Sequence, residues 1–289
     1  MNTPHPAGPA PASSPIPTLT LPTGTPIPVL GFGTYKVAPE DAYDAVSRAL
    51  EVGYRHIDTA QMYGNEAGVG RALAASGIDR DELFVTSKLD NGNHGHDDAL
   101  RSLDRSLTEL GLDRLDLFLV HWPMAAVTNI VETWRTMIEI LQSGRVRAIG
   151  VSNHQAEHLR EITDATGIAP AVNQIELHPY LAQEPLRIVH RSLGIVTESW
   201  SPLGRGRLLK DPVVVDIAAA LGLAPAQVVI RWHLQHGLVV IPKTTHVERM
   251  HVNADVFSFT LSDEQMAALD ALDRNLRTGS HPDTVQRQM

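Results

Sequence analysis

The stretch "LDLFLVHW" at residues 115–122 is a nearly continuous apolar run that ends in a histidine and a tryptophan. A strand with one solvated face alternates apolar and polar residues, whereas this run has apolar side chains on both faces. Such runs are typical of parallel strands that are buried on both sides of a sheet. His121 therefore stands at the carboxyl end of a buried strand, where a polar residue needs an explanation.

Seven similar runs occur in the chain, and helical patterns separate them. They are "VLGFGT", "YRHIDTA", "LFVTSKL", "RAIGVS", "AVNQIEL", "GIVTESW" and "GLVVIPK". Eight strand–helix units in one chain of 289 residues predict an α/β fold of the (β/α)8 TIM-barrel type. The alternative is an open doubly wound sheet, which usually carries G-x-G-x-x-G after its first strand. Here Gly31 and Gly33 are present, but Lys36 stands where the third glycine should be, so the two glycines favour a tight turn.

The ends of the chain predict its domain organisation. "TLTLPTGTPIPVLGFG" has two short alternating runs around Pro22, Thr23 and Gly24, which is typical of a β-hairpin. The preceding residues 1–17 are rich in Pro and Ala and are predicted to form a flexible tail. Residues 18–289 are predicted to form a single barrel domain that ends in a short helix and tail.

Composition excludes several classes of function. A formal net charge of -9 argues against binding to duplex nucleic acid or to an anionic membrane, because either partner requires a basic face. The absence of cysteine excludes disulfides, thiolate nucleophiles and Cys-ligated zinc. The N-terminal segment lacks the pattern of a signal peptide, and no apolar run approaches the roughly 20 residues of a membrane helix. We expect a cytoplasmic monomer.

Polar residues follow nearly every predicted strand. In a TIM barrel the active site is built at the carboxyl ends of the strands, so this recurrence predicts one shared site. A single one of these residues could be a helix cap or a satisfied core residue, but the whole set at one topological position favours function. The set comprises Asp58, Lys88, His121, Ser152 with Asn153, Gln174, Trp200 with Ser201, and Lys243 with Thr244.

Charge then indicates the chemistry of the site. Asp58 and Lys88 end neighbouring strands and can form a partly buried ion pair, over which Tyr63 can lean from the intervening loop. A free tyrosine has a pKa of about 10, and a nearby ammonium group stabilises the phenolate and lowers that pKa. His121, one strand further, can donate a hydrogen bond to the oxygen that receives the proton. These residues suit the transfer of a proton to or from an oxygen atom on carbon.

Other chemistries find less support in the sequence. There is no G-x-S-x-G motif and no pair of carboxylates that could be placed for glycoside hydrolysis. The segment "NGNHGHDD" could meet a divalent ion through His94, His96, Asp97 and Asp98. Its Gly and Asn content and its position before a helix favour an exposed loop with no metal.

In this order and spacing, the motifs resemble the aldo-keto reductase family, from the hairpin to the C-terminus. They are "GYRHIDTAQMYGNE", "VTSKL", "LFLVHWP", "IGVSNH", "AVNQIELHP", "ESWSPLGRG" and "VVIPKTTHVERMHVNADVFSFTLSDEQM". "ESWSPLG", the short loops and "SHPD" are similar to the bacterial 2,5-diketo-D-gluconate reductase-like branch. The resemblance implies a barrel that binds NADPH and reduces aldehydes or ketones of a broad or sugar-ketone-like range, with no nucleic acid or membrane partner.

The resemblance also implies roles for individual residues. Tyr63 would donate the proton, Lys88 and Asp58 would tune its pKa, and His121 would orient the carbonyl group. The cofactor-binding set would include Thr34 and Asp58. Its other members would be Ser152, Asn153 and Gln174 on the carboxamide, Trp200 on the nicotinamide ring, Ser201, Leu203 and Gly204 along the pyrophosphate, Lys243, Thr244 and Arg249 around the 2′-phosphate, and Asn253 on the adenine. Val252 replaces a family glutamate at the adenine end.

The substrate pocket departs from the family pattern. Tyr35 and Trp122 would supply its aromatic walls, but Asp90 stands where the family commonly carries a tryptophan. This change is expected to remove an apolar wall and to add a charge. Because the segment after "SPLGRG" and the C-terminal segment are short, the pocket is expected to be wide and the cofactor cleft open.

Two other classes of function remain open from the sequence. One is a sensor that holds NADPH with negligible turnover, although such a protein does not need to keep a poised proton donor. The other is a metal-dependent barrel hydrolase, which depends on the "HGH" segment alone. Turnover of a carbonyl panel would distinguish the first class, and metal analysis would distinguish the second.

Overall fold

The computed structural model describes residues 16–285, and these residues form a (β/α)8 barrel. Eight strands lie side by side in chain order and pair in parallel. The ring closes where Leu30 bridges to Val240, with the Gly31 N–H donating to the Val240 carbonyl at 2.9 Å. The barrel strands are β3 (Phe32–Gly33), β4 (His56–Asp58), β5 (Phe84–Leu89), β6 (Leu115–Val120), β7 (Val146–Ser152), β8 (Val172–Glu176), β9 (Val196–Trp200) and β10 (Val239–Val240).

Helices follow the strands and cover the outside of the ring. They are α1 (Ala42–Val52), α2 (Glu66–Ala75), α3 (His96–Leu110), α4 (Ile130–Gln142), α5 (Ala156–Thr166), α6 (Glu184–Leu193), α7 (Pro212–Leu221), α8 (Pro225–Gln235), α9 (Val247–Ala254) and α10 (Asp263–Asp270). In α3, the buried residues Leu103, Leu107 and Leu110 recur with helical spacing and face the core. This helix ends at Gly111, whose φ of 64° is the left-handed conformation typical of a C-terminal cap.

The predicted N-terminal hairpin is confirmed, and it closes the bottom of the barrel. Strands β1 (Thr18–Thr20) and β2 (Pro26–Pro28) pair in antiparallel fashion. Leu21, which follows β1, and Ile27 in β2 pack in an apolar cluster with inward-facing side chains of the barrel strands. Water is therefore excluded at this end, and the polar interior lies towards the other end.

Two expectations about the chain are refined by the structure. Gly31 is not part of a tight turn: a Cβ atom on it would lie 2.7 Å from Nδ1 of His56, so this position needs glycine for close approach inside the barrel. Of the predicted tail over residues 1–17, residues 1–15 lie outside the described part of the chain. Within the described part, no single helix is long and apolar enough to cross a membrane, although α7 and α8 would pass by length and composition as a pair bent by 95°.

The hairpin packing can be tested with a matched pair of substitutions. Ile27 is fully buried, whereas Ile188 on α6 is 54% exposed. Ile27→Ala is expected to lower the free energy of unfolding by about 2–5 kcal/mol, because it leaves a cavity at the barrel bottom. Ile188→Ala is expected to change it by less than about 0.5 kcal/mol. Urea denaturation measures both, and equal effects would show that the hairpin does not belong to the core.

Candidate active site

A cavity of about 360 Å³ opens at the carboxyl ends of the strands, where the sequence predicts the site. It is lined by eleven of the predicted residues, namely Tyr35, Asp58, Tyr63, His121, Trp122, Ser152, Asn153, Gln174, Trp200, Ser201 and Lys243. The other residues around it are Gly33, Met62, Pro202, Arg205, Ile241, Gly279 and Ser280. Seven different strand ends and the loops after them thus contribute to one cavity.

The floor of the cavity is the ion pair between Lys88 and Asp58. Lys88 Nζ lies 2.7 Å from Oδ1 and 2.8 Å from Oδ2 of Asp58, and it also donates to the Thr59 carbonyl at 2.9 Å. Both side chains are almost fully buried. Burial is the largest single effect and lowers the pKa of Lys88, but the charge and hydrogen bond of Asp58, together with smaller effects of Tyr63 and Glu198, outweigh it, so the pKa is raised above its ordinary value. Lys88 is therefore a permanent cation below the cavity.

Tyr63 ends a 3-10 turn (Gln61–Tyr63) that directly follows β4, so the short loop holds its ring over the ion pair. Lys88 Nζ lies 5.1 Å from the ring centroid, and the rings of His121 and Tyr35 are 5.7 Å and 5.2 Å away, centroid to centroid. Burial raises the pKa of Tyr63 to about 12, while Lys88 acts in the opposite direction. The expectation of a net lowered pKa was wrong, because desolvation of the phenolate outweighs the single nearby cation.

His121 is a neutral imidazole. Burial, followed by the charge of Lys88, lowers its pKa well below the ordinary value. Its Nδ1 atom is buried and has no hydrogen-bond partner among residues 16–285. A neutral ring with one N–H group can donate one hydrogen bond to a ligand without introducing a second positive charge.

The amide cluster of Ser152, Asn153 and Gln174 has little free donor capacity. Asn153 Nδ2 donates to the His121 carbonyl and to Ser152 Oγ, both at 3.0 Å, and Ser152 Oγ donates to the Gln174 carbonyl at 2.8 Å. Gln174 Nε2 donates inward to Asp58 Oδ2 at 2.8 Å. The Gln174 amide oxygen therefore remains as an acceptor for a ligand N–H group, whereas Asn153 Oδ1 already accepts from Trp200 Nε1. Asn153 and Ser201 have positive φ angles of 62° and 50°, and such strained non-glycine residues cluster at functional sites.

Trp200 is fixed from two sides. Its Nε1 donates to Asn153 Oδ1 at 2.9 Å, and Gly279 packs so closely that a Cβ atom there would lie 2.6 Å from the ring. Gly279 is held by the Glu176 carboxylate, which also accepts two hydrogen bonds from Thr278. The short C-terminal segment returns to the cavity and forms one wall of it with Gly279 and Ser280, whereas the expected width of the pocket stays a prediction.

Six predicted cofactor residues do not line the cavity, namely Thr34, Leu203, Gly204, Thr244, Arg249 and Asn253. The hydroxyl of Thr34 donates to the Asp58 carbonyl at 3.0 Å, and Thr244 Oγ1 accepts from the His246 N–H at the start of α9. Arg249 is exposed on α9, and Asn253 is buried on the same helix. The predicted contacts of these six residues with a dinucleotide therefore stay predictions.

Asp90 does not line the cavity, which contradicts its expected role as a charged wall. Its backbone N–H donates to Gln61 Oε1 at 3.1 Å, and its Oδ1 accepts from the Asn91 N–H at 2.7 Å. The carboxylate organises the loop after β5 because a backbone donor lies within its reach. Tyr35 and Trp122 do lie at the cavity, as predicted.

The histidines of "NGNHGHDD" do not converge on one point. His94 is buried with Thr133 as its hydrogen-bond partner, whereas His96 is exposed and pairs with Asp97 and Glu139. Over residues 16–285, no group of three His, Asp or Glu side chains has the arrangement of a metal site.

Sequence reasoning did not single out two buried residues beneath the cavity, Glu198 and His56. They lie next to each other, with His56 Nε2 3.6 Å from Glu198 Oε1, and both side chains are fully buried. The alternation of side chains along a strand could have identified them. Glu198 stands two residues before Trp200 and His56 two residues before Asp58, so both are expected to point inward.

Comparison with known proteins supports these observations. The Aldo/keto reductase family matches residues 29–274. Morphine 6-dehydrogenase of Pseudomonas putida is 47% identical over 268 residues, which cover 88% of this chain and 90% of that protein. The 2,5-diketo-D-gluconic acid reductase B of Corynebacterium sp. is 46% identical over 270 residues, which cover 93% and 98%. A solved mutant of Gox0644 in complex with NADPH has a TM-score of 0.90 at 44% identity, covering 94% and 99%.

A TIM barrel with this site defines the class of protein, an oxidoreductase. The chain belongs to the aldo/keto reductase family. The family predicted from the motifs is therefore confirmed, and the NADPH complex of a neighbour agrees with the predicted cofactor.

The energetic coupling of the ion pair can be measured by a double-mutant cycle. Lys88→Met is expected to cost about 3–5 kcal/mol of unfolding free energy, because it leaves the buried Asp58 carboxylate without its partner. Asp58→Asn combined with Lys88→Met should recover much of that loss. Arg101→Met, which removes one partner of the exposed pair with Asp98, should cost less than about 1 kcal/mol. Additive losses from the two buried substitutions would contradict the coupling.

Proposed function

We propose that this protein reduces aldehydes and ketones to alcohols with NADPH, and that Tyr63 is the proton donor. One observation carries the proposal: a single cavity brings Tyr63 over the Lys88–Asp58 pair with the neutral His121 beside its ring. The cavity also contains Trp200, whose ring is an aromatic platform, and an amide oxygen that can accept from a carboxamide. When bound, NADPH supplies the hydride that the carbonyl carbon takes up.

The residues of the chain then handle the proton. Because the pKa of Tyr63 is about 12, the phenol keeps its proton throughout the neutral range and is available as an acid. The carbonyl oxygen becomes a much stronger base than phenolate as the carbon is reduced, so transfer from Tyr63 is favourable. Lys88 stabilises the resulting phenolate. His121 donates its N–H to the carbonyl oxygen and so orients the carbonyl group.

The residues also fit the two ends of the cofactor. Gln174, with Asn153 beside it, would offer an acceptor oxygen to the carboxamide N–H group, and Trp200 would supply an aromatic surface for the nicotinamide ring. At the other end, Lys243 and Arg249 are exposed cations in a chain with a net charge of -9. Charge-assisted hydrogen bonds from these two residues to the 2′-phosphate favour NADPH over NADH.

We infer a substrate range that is broad or includes sugar-derived ketones. Relatives of this chain are named for morphine and for 2,5-diketo-D-gluconic acid, which differ greatly in shape and polarity. The cavity has an apolar side with Met62 and Trp122 and an exposed Tyr35 at its mouth, so one wall can accept different carbonyl compounds. A monomeric state and a cytoplasmic location stay predictions of the sequence.

Replacing the proton donor tests the reaction. Tyr63→Phe is expected to lower kcat by about 10²- to 10⁴-fold, because it removes general acid catalysis, while NADPH still binds. Turnover is measured by NADPH oxidation over a panel of aldehydes and ketones, and binding by fluorescence titration. The control is Tyr43→Phe, which alters an exposed tyrosine on α1. Near-normal turnover by Tyr63→Phe, or no NADPH oxidation by the wild type across the panel, would refute the proposal.

Cofactor preference tests the two distal cations. Lys243→Met and Arg249→Met are each expected to raise KM for NADPH by about 10-fold or more, the effect of losing one charge-assisted hydrogen bond. KM for NADH should change little, because NADH has no 2′-phosphate. Arg160→Met on α5 serves as the control for loss of an exposed cation. If wild-type kcat/KM were equal for the two cofactors, the assignment of Lys243 and Arg249 would be wrong.

A further inference from the structure

A second carboxyl group lies directly beneath the catalytic ion pair. Glu198 is in the middle of β9, and its side chain is fully buried inside the barrel. The Gln174 amide joins it to the site, because Nε2 donates to Asp58 Oδ2 at 2.8 Å and to Glu198 Oε2 at 3.0 Å. Two carboxyl groups thus share the two protons of one amide.

Counting donors shows that no cation donates a hydrogen bond to Glu198. All three N–H groups of Lys88 are used, two by Asp58 and one by the Thr59 carbonyl. The second potential cation is His56, but burial lowers its pKa to about 4, so it is neutral in the physiological range. An ionised Glu198 would therefore be a second buried anion near a single cation, Lys88, whose charge Asp58 already balances, which is strongly unfavourable.

The surroundings of Glu198 on every neighbouring strand agree with this count. Strand β4 contributes Asp58 and His56, β5 contributes Lys88, β8 contributes Gln174, and the register of β10 puts the apolar Val239 opposite Glu198. The Oε1 atom of Glu198 has no hydrogen-bond partner among the described residues, and His56 Nε2 lies 3.6 Å away. That nitrogen is also 3.1 Å from Thr86 Oγ1, so a proton on Oε1 would face a ring nitrogen that already has a hydroxyl partner.

We propose that Glu198 is a positioning residue, held in the barrel as a neutral carboxylic acid, that fixes the Gln174 amide and through it the carboxylate of Asp58. Its ionisation puts a second negative charge next to Asp58 and destabilises the Tyr63 phenolate that proton transfer creates. The consequence for catalysis rests on the function proposed above, whereas the protonation state of Glu198 does not.

Glu198 is expected to ionise in a pH range that differs from the ranges of Tyr63 and His121. Burial, followed by the charge of Asp58, raises the pKa of Glu198 to about 8. Tyr63 titrates near 12 and His121 well below its ordinary value, so neither accounts for a change near pH 8. Turnover in the reductive direction is therefore expected to fall above about pH 8, by up to about 10-fold per pH unit for a single ionisation.

The substitution Glu198→Gln distinguishes a neutral Glu198 from an ionised one, because glutamine has the same shape and cannot ionise. An ordinary glutamate ionises near pH 4.5, whereas folded Glu198 ionises near pH 8, so between these values the folded chain holds one proton more than the unfolded chain. The stability of the wild type relative to Glu198→Gln must then fall as pH rises through this window and level off above it.

Thermal unfolding from pH 5 to pH 9 measures this difference without any cofactor or substrate. The Tm difference is expected to move in favour of Glu198→Gln by about 5 °C or more between pH 5 and pH 8. The control Glu161→Gln removes an exposed glutamate from α5 and should follow the wild type at every pH. Parallel Tm curves for the wild type and Glu198→Gln would overturn the proposal, because Glu198 would then be ionised in the folded chain.

The pH profile of kcat tests the positioning role. The wild type should lose turnover above about pH 8, and Glu198→Gln should keep a flat profile through that range. Glu198→Leu, which cannot hold the Gln174 amide, should lower kcat at every pH, and Gln at position 198 should restore it. Identical alkaline profiles for the wild type and Glu198→Gln would refute the positioning role. Diverging Tm curves without any carbonyl reduction would instead refute the proposed function and leave Glu198 as a buried neutral acid.

Discussion

The buried ion pair of Lys88 and Asp58 is the interaction on which the rest of the site depends. A lysine without solvent exposure is stable as a cation only if every N–H group has an acceptor, and here Asp58 and the Thr59 carbonyl supply all three. This requirement fixes the carboxyl ends of β4 and β5 relative to each other. The 3-10 turn that follows β4 then has no freedom to move Tyr63 away from the cation. The same contacts that satisfy a buried charge therefore also orient the proposed proton donor.

Period-two geometry distributes polarity along the barrel axis. Every second residue of a strand points inward, so an inward set can change from apolar to polar along the length of one strand. In β5 this set runs from Phe84, packed against the hairpin, through Thr86 to Lys88 at the cavity. The hairpin excludes water from the apolar end, and the polar end opens to ligands. Function can therefore change at the mouth with little effect on the packing below it.

Much of the site was predictable because strand ends are visible in the sequence and the barrel brings them together. Asp58, Lys88, His121 and Gln174 each follow a recognisable run, and parallel strands in chain order leave only one place for them to meet. The effect of burial on the pKa of Tyr63 could not be predicted from the sequence. Tyr63 was expected to have a lowered pKa from its charged neighbour alone, but burial has the larger effect and reverses the sign.

Long-range contacts with irregular segments were also beyond sequence reasoning. The C-terminal segment has no repeating pattern, so nothing indicated that Gly279 would pack on Trp200. The position of Asp90 after β5 predicts that it lines the pocket, but its carboxylate instead accepts a hydrogen bond from a nearby backbone N–H. In both cases the position of the side chain or segment depends on one local contact. The position of a strand, by contrast, is indicated by many residues with the same hydrophobic pattern.

Glu176 and Glu198 show how strongly such partners matter. Both are inward-facing glutamates at neighbouring strands, and both are fully buried. Burial by itself raises the pKa of each, but Glu176 accepts hydrogen bonds from Thr278, Gly279 and His178, which lower its pKa to about 2. Glu198 receives one hydrogen bond, from Gln174, and its pKa is raised to about 8. Hydrogen bonds hold Glu176 as an anion that anchors the wall of the cavity, whereas burial and the adjacent charge of Asp58 keep Glu198 protonated beneath the ion pair.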